Sequence, residues 1–155
     1  MTALTTGPLA DCHLHFEGSI PVDFLRKLAG RSGHRFGQTG SFEAARAAVK
    51  DSAGFLQLYG EVARLFRGPE DYAEAARAIA RSLAADGVGY FEIYVSPEIM
   101  TRFQLDAAAC VSAIAAAFET LRLSIRSLIG SRAKASQCAP TLCRIPSPSA
   151  PSTSA

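Results

Sequence analysis

Two histidines, His13 and His15, stand two residues apart in the run Ala10-Asp11-Cys12-His13-Leu14-His15-Phe16, and Glu17-Gly18-Ser19 follows directly. Along an extended strand, residues i and i+2 point to the same face. The two imidazoles therefore project together, and Cys12 and Leu14 are expected to turn the other way, into packing. A pair of neutral imidazoles on one side of a strand end is half of a site for a divalent metal, zinc above all. Two histidines at this spacing are more often an accident than a ligand pair, so the surroundings must decide. His34 is the remaining histidine. It lies beside Arg35 in a polar, glycine-bearing loop and reads as a solvated residue rather than a third ligand.

The elements that must position this pair can be read from periodicity. Leu9 to Phe16 reads as a strand, Gly18-Ser19 as a turn, and Pro21 as the first position of a helix capped near Ser19 or Ile20. Val22, Leu25, Leu28 and Ala29 follow helical spacing until Gly33. Ser41 opens a short helix through Val49. Phe55, Leu58, Tyr59, Val62 and Phe66 then lie on one helical face, a stripe that reads first as core packing. Gly68-Pro69 breaks this helix and starts the next, which carries Tyr72, Ala76, Ile79 and Leu83 and ends at Gly87. Val88 to Val95 is β-branched and aromatic, bounded by Gly87 and Ser96-Pro97, and reads as a second strand. Glu92 inside it is expected to be a buried structural acid, since a buried carboxylate needs partners. Leu105 to Ile125 gives a last helix through Val111, Ile114, Phe118 and Leu121. Strand, helices, strand, helix is the opening of a parallel α/β wind.

The stretch Asp11 to Pro21 resembles the first barrel strand of the adenosine/adenine deaminase family, whose signature there is H-x-H-[LF]-[DE]-G-[ST]. Gly87 to Pro97 is similar to that family's second strand, and Gly54-Phe55-Leu56 through Tyr59 to Pro69-Glu70-Asp71-Tyr72 follows its helical segment. The resemblance runs over residues 8 to 121. It implies the N-terminal portion of a (β/α)8 barrel and a zinc-dependent hydrolytic deamination of adenosine or a related aminopurine, in purine salvage or metabolism. It further implies that His13 and His15 are zinc ligands. His15, Glu17, Phe55 and Tyr59 would border the purine base or nucleoside. Nucleoside deaminases commonly carry Asp where Glu17 stands, so adenine or another modified purine is the alternative substrate.

The chain holds 155 residues, fewer than the roughly 250 of a whole eight-stranded barrel. The later motifs of the family do not occur. No histidine follows His34, and there is no His-Ala-x-Glu run for the general acid/base and no Asp-Asp pair. The H-x-E with P-C-x-x-C signature of cytidine-type deaminases is missing too, as are Walker and dinucleotide-binding glycine motifs.

Charge and composition change along the chain. Residues 1 to 119 hold all fourteen acids against eleven bases, whereas residues 120 to 155 hold five bases and no acid. Residues 124 to 155 include eight serines and four prolines, too little apolar surface to offset ordering entropy. The expected organisation is a partial barrel domain over 8–121 and a disordered Ser/Pro/Arg-rich tail over 122–155, read as a truncated or frameshifted end. No nucleic-acid partner is expected of the acidic body. No membrane partner is expected either, and four cysteines without C-x-x-C pairing and no secretory leader point to the cytoplasm. Two readings stand: an aminohydrolase by descent that is inactive as this chain, and a non-catalytic fragment that binds metal weakly or not at all.

Overall fold

The computed structural model describes residues 9–130, with side chains through residue 121; the expected disordered tail lies outside the described residues beyond Gly130. The chain runs β1 (Leu9–His15), a 3-10 turn (Glu17–Ser19), α1 (Val22–Arg31), a second 3-10 turn (Arg35–Gly37), α2 (Ser41–Ala47) and α3 (Ser52–Ala63). It continues through α4 (Pro69–Ala85), β2 (Val88–Tyr94), α5 (Pro97–Arg102) and α6 (Ala107–Gly130).

Among the described residues the two strands form one parallel sheet, as the alternation of strand and helix runs predicted. His15 stands opposite Tyr94 and Leu14 opposite Ile93. Between Asp11 and Leu14, β1 advances three residues while β2 advances two, from Phe91 to Ile93. This is a β-bulge, which breaks strict alternation. Cys12 is exposed instead of packed as strict alternation predicts, as is most of β1. The His13 amide next to the bulge donates to Asp11 Oδ1 at 3.2 Å.

Helix boundaries follow local chemistry. Pro21 sits just before α1 rather than inside it, and α2 begins after Gly40 and stops at Ala47, two residues before the expected end. Asp51 caps α3, its Oδ1 accepting from the Gly54 amide at 2.8 Å. Pro69 opens α4 with Glu70 and Asp71 in its first turn, where acids favour the helix dipole. Gly87 takes a φ of 80° between α4 and β2, a left-handed conformation that glycine adopts without steric cost. The short α5 was not expected from sequence. Ser96-Pro97 reads there as a strand terminator, yet the same proline starts six helical residues.

The core lies on one side of the sheet. Phe91 and Ile93 of β2 pack against buried residues of α4 and α6, and the Phe91 and Phe118 rings meet edge to face at 5.4 Å. Tyr72, Phe16, Phe36, Leu25, Leu28, Ile79, Met100 and Ile114 are fully buried. Phe66 stacks on Tyr72 at 4.2 Å, which fixes the turn between α3 and α4. Asp71, 6 % exposed, takes a hydrogen bond from the Arg31 guanidinium and another from the Arg67 amide at 2.9 Å, tying α1 to α4. The opposite sheet face carries Tyr90, Glu92 and Tyr94 with the histidine pair. Glu92 is exposed there, correcting the expectation of a buried acid, and accepts a hydrogen bond from the Tyr90 hydroxyl at 2.6 Å.

Candidate active site

The histidine pair sits at the carboxyl end of β1, where parallel α/β sheets place their chemistry. The His13 and His15 ring centroids are 5.2 Å apart, so the two side chains do converge on one face. Tyr94, at the matching end of β2, closes the cluster at 4.7 Å from His13 and 5.8 Å from His15. Sequence reading did not single out Tyr94; its strand-end position opposite His15 is the signal that marks it. The turn below is fixed by the backbone. The Phe16 amide donates to the Tyr94 carbonyl at 2.9 Å, and the Ser19 hydroxyl donates to the His15 carbonyl at 2.8 Å.

That turn drives Glu17 inward. Its side chain is 4 % exposed, and its Oε2 accepts a hydrogen bond from the Tyr59 hydroxyl of α3. Its Oε1 is buried without a hydrogen-bond partner, as is the Tyr72 hydroxyl. Burial pushes the Glu17 carboxyl above the ordinary carboxylate range, against the Tyr59 bond and nearby His15, which draw it down. Burial also raises Tyr59, reinforced by the hydrogen bond and the charge of Glu17, so Tyr59 remains a donor at neutral pH. A half-satisfied buried carboxylate is costly.

Phe55 lies 6.0 Å from Tyr59 on α3 but is 53 % exposed. The α3 stripe is thus core only in its C-terminal half, where Val62 is buried, and open at Phe55, whose neighbour Leu56 is exposed as well. His34 is engaged elsewhere: its Nδ1 accepts from the Phe36 amide at 3.3 Å, and its Nε2 lies 3.8 Å from Glu61. A cleft of about 1080 Å³ runs past His34, Arg35 and Glu61, but it includes neither His13, His15 nor Glu17.

The donor set suits a metal in part. Two imidazoles bound tetrahedrally to one zinc at about 2.1 Å would hold their centroids roughly 5 Å apart, and His13 and His15 match that spacing. Among the described residues no group of three or more His, Cys, Asp or Glu side chains is placed to hold a metal. The pair is therefore a half-site. Among the described residues no helix is long and apolar enough to cross a membrane.

Comparison with known proteins gives this geometry a lineage. The adenosine deaminase family model matches residues 8–146, running past Leu121. An adenine deaminase of Rhizobium meliloti is 36 % identical over 116 residues, covering 74 % of this chain and 35 % of that protein. One from Streptomyces coelicolor is 34 % identical over 98 residues, 62 % of this chain and 28 % of its own length. The crystal structure of an adenine deaminase from Arthrobacter aurescens superposes with a TM-score of 0.65 at 27 % identity, over 74 % of this chain and 36 % of that one. The chain thus spans about a third of the length of these relatives, and the described residues form the N-terminal portion of a (β/α)8 barrel. It belongs to the adenosine deaminase family.

Proposed function

We propose that residues 8–121 are the opening portion of a metal-dependent aminohydrolase barrel that deaminates an aminopurine in the cytoplasm, with adenine as substrate. The observation that carries this reading is the convergence of His13 and His15 beside a buried, half-satisfied carboxylate at the end of parallel strands. The names of the relatives as adenine deaminases support the base over the nucleoside. Free Cys12 and Cys110 suit a reducing compartment.

In this reading His13 and His15 hold a zinc ion, which when bound would activate water for hydrolytic attack. Glu17 Oε1 accepts an N–H of the planar ligand, and Tyr59 fixes the carboxylate by holding Oε2. Phe55, with an exposed ring next to Tyr59, covers the ligand and limits access of bulk water.

Catalysis needs more than the half-site. Catalytic zinc is held by three or more protein ligands, and loss of a general acid/base alone costs about 10²–10⁴ in rate. The sequence has no histidine besides His13, His15 and His34. We therefore expect the purified polypeptide, given zinc, to release no ammonia from adenine or adenosine above the background of a His13→Ala variant. Turnover that vanishes in His13→Ala would contradict the reading of this chain as non-catalytic by itself.

A further inference from the structure

The cleft of about 1080 Å³ beside the second 3-10 turn differs in charge from the body around it. Every residue that lines it lies between Ser32 and Phe103. It gathers three arginines, Arg35, Arg64 and Arg102, against one acid, Glu61, although acids outnumber bases over residues 1–119. Arg35 is already engaged: its Nη2 donates to Glu61 Oε2 at 2.8 Å and to Oε1 at 3.0 Å. Arg64 and Arg102 are exposed, and among the described residues neither has a carboxylate within ion-pair reach. Arg64 instead leans on the cleft wall, its guanidinium 5.6 Å from the Phe103 ring centroid. Phe103 is set by the turn that ends α5: its amide donates to the Ile99 carbonyl at 3.2 Å, and Gln104 after it takes a left-handed φ of 60°. No other non-glycine among the described residues has a positive φ, and such backbone persists only where its surroundings hold it.

We propose that this cleft binds a small organic phosphate, its phosphate between the Arg64 and Arg102 guanidinium groups and its apolar body against Phe103 and Ile99. The guanidinium fork matches phosphate oxygens in paired, charge-assisted hydrogen bonds. Two guanidinium groups without carboxylates offset the roughly double negative charge of a phosphate monoester. The Arg35–Glu61 pair is neutral as a unit and leaves the field of the cleft to the other two. Contact with the Phe103 ring keeps the Arg64 side chain in place, and an apolar wall with a few charged groups is the usual make-up of a small-molecule site. The inference is independent of the aminohydrolase reading, since the cleft includes neither His13, His15 nor Glu17.

Isothermal titration calorimetry of the full chain with phenyl phosphate tests it, with a chelator present so that no metal at the histidine pair takes part. Phenyl phosphate is not a purine and so does not probe the proposed aminopurine site. The expected result is one phenyl phosphate per chain, bound about ten-fold tighter than inorganic phosphate through partial burial of its ring. Phenol, which lacks the charge, should show no binding. Arg64→Gln and Arg102→Gln should each weaken phenyl phosphate about ten-fold, the worth of a hydrogen bond to a charged group. Arg81→Gln, at an exposed arginine of α4 outside the cleft, should leave it unchanged. Phe103→Ala should abolish the preference for phenyl phosphate and keep the binding of inorganic phosphate. No binding of either phosphate, affinity unchanged in both cleft variants, or an equal loss in Arg81→Gln would overturn the site. Equal affinity of the parent for phenyl phosphate and inorganic phosphate would overturn its apolar half.

Discussion

At the scale of single residues, the site is defined by what it leaves unpaired. Glu17 is buried with one oxygen on Tyr59 and the other without a hydrogen-bond partner, so the Tyr59 bond, ahead of nearby His15, is the main side-chain offset to its desolvation. Tyr59→Phe is expected to cost about 2 kcal/mol, the worth of a hydrogen bond to a charged group, read as a fall in the urea midpoint with an unchanged slope. Glu17→Gln keeps an acceptor for Tyr59 and removes the buried charge, so it should be neutral or stabilising. A Tyr59→Phe protein as stable as the parent, or a Glu17→Gln protein that unfolds earlier, would contradict this account of the pair. The sequence made His13 and His15 legible because a period of two is a property of any strand. The Glu17–Tyr59 bond was not legible: the family resemblance put both residues beside the ligand but not against each other, and forty-two positions separate them. The exposure of Cys12 was hidden because alternation tells which face a residue takes, not whether that face is covered.

At the scale of elements, α4 and α6 brace the sheet from one side and α3 lies over the strand ends. Ile79, in the apolar stripe of α4, is fully buried, and Leu56, off the stripe of α3, is 66 % exposed. Ile79→Ala should cost about 2–5 kcal/mol through lost burial and a residual cavity, whereas Leu56→Ala should stay within about 0.5 kcal/mol. Equal losses at both positions, measured by denaturant unfolding, would mean that α3 is covered in solution. Strong periodicity made the long helices readable, with Pro69 and Gly87 as punctuation. The six residues of α5 were not readable, because a helix so short has no period to detect and its proline serves equally well to end a strand. Likewise Glu92 looked buried because a strand with covered faces is the ordinary parallel case, while here one face is open.

At the scale of the molecule, the described residues amount to a sheet of two strands with helices behind it and chemistry in front. The exposed face holds His13, His15 and Tyr94, and Phe55 and Leu56 of α3 are apolar and uncovered. An open edge with apolar surface beside it favours association, so the chain should show concentration-dependent light scattering. In the function proposed above, these residues are the opening portion of a deaminase barrel with His13 and His15 as its metal ligands. The most direct measurement exchanges residues 8–121 for the matching segment of the Rhizobium meliloti adenine deaminase and follows ammonia release from adenine. The account predicts a folded chimaera that turns over adenine, and whose bound zinc and turnover are both lost in His13→Ala or His15→Ala. A folded chimaera that keeps its zinc and activity without those two histidines would contradict it.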